Sequence, residues 1–136
     1  MREWILPAMV SFACWGLWGF TAKLATRYIS PRSAMVYEVL GGLLVAAIVL
    51  YLLNFRLDVH PKGIFLALIT GALGIIGALG FLYAVSKGRV SLVVSFTALY
   101  PVLGILLAVV ILKEPITLKQ GVGIILALIA MLLVAT

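Results

Sequence analysis

Apolar residues in this chain come in long unbroken runs, with polar positions gathered in the short intervals between them. Five runs stand out, at 4–22, 34–53, 63–85, 90–112 and 118–135. Each is close to the roughly 20 apolar residues that a helix needs to cross a hydrocarbon core about 30 Å thick. The joining stretches, 23–33, 54–62, 86–89 and 113–117, carry most of the charge. The pattern predicts an all-α polytopic membrane protein, with five transmembrane helices in a single domain over 1–136. The first run follows Arg2 and closes on the small residues Thr21 and Ala22, as a cleaved signal does. Its length and its tryptophans favour an uncleaved first span.

Punctuation at the run ends agrees with this division. Ser30-Pro31 and His60-Pro61 put proline just ahead of the second and third runs, where its missing N–H is harmless. Gly88 stands in a C-cap position after the third. Thr117 and Gln120 have the spacing of a capping box, in which each side chain accepts from the other residue's backbone N–H. Pro115 ends the fourth run so close to that box that the fourth and fifth helices should form an antiparallel pair. Inside the fourth run, Pro101 cannot donate to the Thr97 carbonyl, which predicts an interrupted helix. A backbone carbonyl released within a bilayer needs a neighbouring helix or a water-lined cavity.

Composition strengthens the membrane assignment: 65% of residues are hydrophobic and 10% charged, against about 45–50% and 25% in soluble domains. The net charge of +6 comes from ten Lys and Arg scattered at run ends, which reads as membrane anchoring and not as a nucleic-acid surface. Arg2, Arg56, Lys62, Lys113 and Lys119 fall on one side of a five-span topology; Lys23, Arg27, Arg32, Lys87 and Arg89 fall on the other. That even division removes the excess that normally orients a membrane protein, so dual insertion stands beside a single orientation set by local weighting. Small residues recur at close-packing intervals in the third run, with Gly63, Ala67 and Gly71 on one ridge and Gly71, Gly74, Gly77 and Gly80 sweeping round the helix.

Few groups offer chemistry. Glu38 is the single carboxylate within a run, and an acid in a membrane is costly enough to be a candidate for function. Pairing with the nearby Lys23, Arg27 or Arg32 is the structural alternative. Trp15, Trp18, Tyr83 and Tyr100 serve either packing or the lining of an aromatic pocket. Ser95 and Thr97 either bond back to helix carbonyls or face a pore. His60 and Cys14 are each the only one of their kind, so a zinc cluster cannot be assembled from them, and no phosphate-binding glycine loop is present. The chain therefore reads as a non-enzyme without cofactor or metal.

Tyr83-Ala-Val-Ser-Lys-Gly-Arg-Val-Ser91, Leu99-Tyr-Pro-Val102 and Leu112-Lys-Glu-Pro-Ile-Thr-Leu-Lys-Gln-Gly-Val-Gly123 together resemble the closing half of an EamA domain, of the drug/metabolite transporter superfamily. Trp15-Gly-Leu-Trp-Gly19 and Ser30-Pro31 resemble its opening helix and first loop. The resemblance implies secondary transport of small molecules through a cavity between two inverted five-helix repeats. This chain has one repeat, so an antiparallel homodimer would rebuild the pair. A non-transporting or heterodimeric subunit and a lipid-linked sugar flippase are the alternatives. A prokaryotic plasma membrane is the expected location. Glu38 departs from the arginine that many relatives resemble one another in carrying.

Overall fold

The computed structural model describes residues 3–135, apart from the side chains of Met131, Val134 and Ala135; Arg2, counted in the charge balance, lies outside them. All regular structure among the described residues is helical: α1 (Ile5–Ala25), α2 (Pro31–Leu52), α3 (Pro61–Lys87), α4 (Val90–Thr97), α5 (Tyr100–Ile111) and α6 (Leu118–Ala135). Three single helices and the composite span Val90–Ile111 are long and apolar enough to cross a membrane. α6, where the fifth span is expected, has 18 residues and so is about 27 Å long. The expected all-α polytopic architecture is present. The helices group into two compact units, 1–87 and 88–136.

In the first unit the helices overrun the apolar runs that predict them. α1 continues past Lys23 to Ala25, α2 starts at Pro31 ahead of Arg32, and α3 reaches from Pro61 to Lys87. Run ends mark where side chains become polar, whereas a helix stops where its backbone is capped. Lys and Arg prolong a helix into the interface because their stems stay among apolar groups while the charge reaches water. The caps sit beyond them. Ser30 Oγ accepts from the Ser33 N–H at 3.2 Å with Pro31 in the first turn, and His60 Nδ1 accepts from the Gly63 N–H at 3.3 Å. α2 ends in a Schellman turn: Asn54 (φ 51°) and Phe55 (φ 58°) are left-handed, and their N–H groups donate to Tyr51 O at 2.9 Å and Leu50 O at 3.0 Å. Gly88 directly follows α3 but is not left-handed, so the glycine closure expected there is absent.

α3 packs against both α1 and α2. The buried residues are Gly19 and Ala22 of α1, Ala34 and Met35 of α2, and Phe81, Leu82 and Val85 of α3. All seven lie toward the end where α1 and α3 finish and α2 begins. Small residues on α1 and α2 let the α3 backbone come close, and Leu82 and Val85 fill the contact. The glycine ridge of α3 is not used in this way. Apart from the helix's own neighbouring backbone, no described atom of the unit lies within 4 Å of where a Cβ would stand on Gly71, Gly74, Gly77 or Gly80.

The second unit is built on the broken span. The Ala98 N–H still reaches Val94 O at 2.8 Å, but the Leu99 N–H turns to Phe96 O at 3.2 Å, and α5 restarts with Pro101 in its first turn. Ala98 (φ −62°, ψ −2°) and Leu99 (φ −77°, ψ −14°) form the connecting turn. The fourth run is therefore two helices, since proline has no N–H to give Thr97 and its ring crowds the preceding turn. Lys113, at φ 54°, reverses the chain after α5, and α4 packs against α6. The antiparallel pairing expected of the whole fourth run is thus carried by its α4 half. Between α5 and α6 lies a groove of about 550 Å³ lined by Pro101, Ile105, Val109, Ile124, Ala127 and Leu128. The predicted capping box is present: the Thr117 N–H donates to Gln120 Oε1 at 2.9 Å and the Gln120 N–H to Thr117 Oγ1 at 3.3 Å.

Candidate functional site

The richest arrangement of functional groups belongs to the first unit. Trp18 is seven residues from the end of α1, Glu38 seven from the start of α2, and Phe81 six from the end of α3. At 1.5 Å per residue all three lie about 10 Å in from the same end, in one layer. Trp18 Nε1 donates to Glu38 Oε1. The Trp18 ring lies against Phe81, with centroids 4.7 Å apart and planes inclined by 30°. Glu38 Oε2 is buried and has no hydrogen-bond partner among the described residues. Leaving a buried acceptor unmet costs about 1–3 kcal/mol.

A second polar layer lies nearer the helix ends. Arg32 Nε donates to Tyr83 Oη at 2.8 Å, tying α2 to α3. Lys23 Nζ donates to Val85 O at 2.5 Å, tying α1 to α3 at a carbonyl in the last turn of the helix. Cations are favourable there because carbonyls accumulate partial negative charge at a helix C-terminus. Ser86 Oγ donates to Tyr83 O at 2.8 Å, closing the same turn.

The structure thus divides the sequence-predicted residues. It joins Trp18 to Glu38 and sets Tyr83 in the adjoining layer. Glu38 Oε1 is met by an indole, not by one of the neighbouring basic side chains that the charge pattern offered. Trp15 is 62% exposed and does not share Trp18's contacts. Ser95 and Thr97 donate to Ser91 O and Val93 O, both at 2.8 Å, which is the back-bonding alternative. Pro101 lines the α5–α6 groove, and Tyr100 beside it is 63% exposed.

Phe81, Arg32 and Lys23 escape a reading by composition. Phe81 is one more apolar residue in an apolar run, although it lies one helical turn beyond Gly77 and one before Val85. Arg32 and Lys23 have the positions of ordinary interface anchors, and only the packing of three helices shows that they also join them. No cluster of three or more His, Cys, Asp or Glu is found among the described residues.

Comparison with known proteins agrees with an arrangement of apolar spans around a few polar groups. An uncharacterized protein of Methanocaldococcus jannaschii is 31% identical over 131 residues, covering 96% of this chain and 95% of that one. An uncharacterized transporter of Archaeoglobus fulgidus is 33% identical over 146 residues; the match takes in 99% of this chain but 48% of the longer relative. No solved structure matches. The family model for EamA-like transporters matches residues 2–136, and the chain belongs to that family of membrane transporters.

Proposed function

We propose that this protein is a secondary transporter of small molecules in a prokaryotic plasma membrane, working by alternating access as an antiparallel homodimer. In this reading the two compact units make up one EamA-type domain over 1–136, and two such domains, inserted oppositely, enclose the substrate path. The observation that carries it is the length relation to the Archaeoglobus fulgidus transporter: one copy of this chain aligns with about half of that protein. An odd number of spans requires the second copy to enter the membrane the other way round if the halves are to be inverted. The five-to-five division of Lys and Arg between the two sides permits both insertions. Glu38, Trp18 and Phe81 supply the substrate-facing layer, and the break at Pro101 is the flexible element of the second unit.

Membrane-impermeant thiol labelling tests the topology in a Cys14→Ser background. Tyr28→Cys and Leu57→Cys place single thiols in loops on opposite sides of the expected topology. Each should label about half from either side of the membrane. Strictly one-sided labelling of both positions overturns dual insertion. Flux into proteoliposomes holding only the purified chain is the accompanying expectation, and its absence would favour a chain that needs a different partner.

A further inference from the structure

We infer that the layer formed by Glu38, Trp18 and Phe81 binds the charged head of a monovalent organic cation, an amine, with Glu38 Oε2 as its counter-ion. The inference rests on the transporter reading and names the substrate class for the same site. Its starting point is the carboxylate oxygen left unmet when Trp18 takes the other one. An oxygen of this kind, covered and about 10 Å inside the helix, calls for a donor that arrives from outside.

The surroundings narrow the donor. The Trp18 indole meets the carboxylate and Phe81 lies against that indole, and aromatic rings attract cations whose hydration shell is weak. A strongly hydrated divalent metal asks for several oxygen ligands, whereas this layer has one carboxylate and no acidic or histidine cluster forms among the described residues. One negative charge matches one positive charge. Lys23 and Arg32, the cations in the adjoining layer, hold Val85 O and Tyr83 Oη and lie nearer the helix ends. Because Oε2 is covered in this conformation, an entering amine rearranges the layer around the carboxylate, whose other oxygen holds the Trp18 indole. Trp18 is therefore both wall and reporter.

The test uses the full chain in detergent micelles with Trp4→Phe and Trp15→Phe, so that Trp18 is the remaining tryptophan. Phenethylamine is titrated against phenethyl alcohol, which has the same ring and chain but no charge. The expected result is a saturable change in Trp18 emission with the amine, at least tenfold weaker with the alcohol and at least tenfold weaker in Glu38→Gln. Equal responses to amine and alcohol overturn the inference, as does unchanged amine affinity in Glu38→Gln. The amine–alcohol comparison is made on protein retaining Glu38, so it decides the matter even if Glu38→Gln does not fold. Proteoliposome flux separates the two readings: saturable amine binding without flux keeps the cation site and counts against transport by this chain alone, while flux of an amino acid without amine binding removes the cation site.

Discussion

In the first three helices polar side chains reach across helix boundaries, Trp18 to Glu38, Arg32 to Tyr83 and Lys23 to Val85 O. In residues 88–136 the hydroxyls stay at home: Ser95 and Thr97 bond within their own helix, and Thr117 with Gln120 within one turn. The first unit buries seven residues at one end, whereas no described residue of the second is buried. The difference shows two ways of meeting the same constraint. Lipid offers polar groups no partner, so a group that is not satisfied internally, as Glu38 Oε2 is not among the described residues, is the exception. Side-chain bonds between helices make a unit that moves as one body, while local bonds leave helices free to shift against one another.

Removing the interruption is the strongest intervention in the second unit. Pro101→Ala supplies the missing N–H to Thr97 and should fuse α4 and α5, gaining up to about 3 kcal/mol of helix free energy. The measurement is twofold: slower hydrogen exchange at residues 98–102, and slower transport if the break is a moving joint. Unaltered transport with a continuous helix would reduce Pro101 to a bend. Next in size, Leu82→Ala should destabilise the first unit by about 2 kcal/mol, near the low end of the core range because lipid contributes little transfer term. Leu106→Ala, at a position 56% exposed, should change stability by less than about 0.5 kcal/mol. Thermal unfolding of the two variants in one detergent compares the units directly, and equal losses would abolish the contrast between them.

Tyr83→Phe removes the acceptor of Arg32 and should cost about 1–1.5 kcal/mol, seen as a lowered midpoint together with faster exchange in both α2 and α3. Faster exchange in α3 alone would mean that the tie does not join the helices. Thr117→Ala should cost about 1 kcal/mol and act only on the first turn of α6, because a cap satisfies N–H groups of its own helix. Loss of protection spreading into α4 would show that the second unit is more cooperative than its local bonding indicates.

Much of the architecture is legible without coordinates. Unbroken apolar length announces the spans, since no other structure hides so many apolar residues and still satisfies its backbone in lipid. Pro101 announces the break because the cause is covalent, a nitrogen with no hydrogen. Thr117 and Gln120 announce a helix start because capping acts over three residues. All of these depend on neighbours in sequence.

What depended on tertiary structure is the choice of partners. The sequence places Glu38 within reach of several basic residues, and the packing gives it Trp18 and Phe81 and leaves Oε2 unmet. It offers four tyrosines and tryptophans for a pocket, of which Trp18 joins this layer and Tyr83 the one beside it. Periodicity states which residues share a helix face, but the faces that meet are decided by crossing positions and by where Gly19, Ala22 and Ala34 allow close approach. In a chain this apolar nearly every face could meet lipid, so hydrophobic patterning gives no sign of which one turns inward.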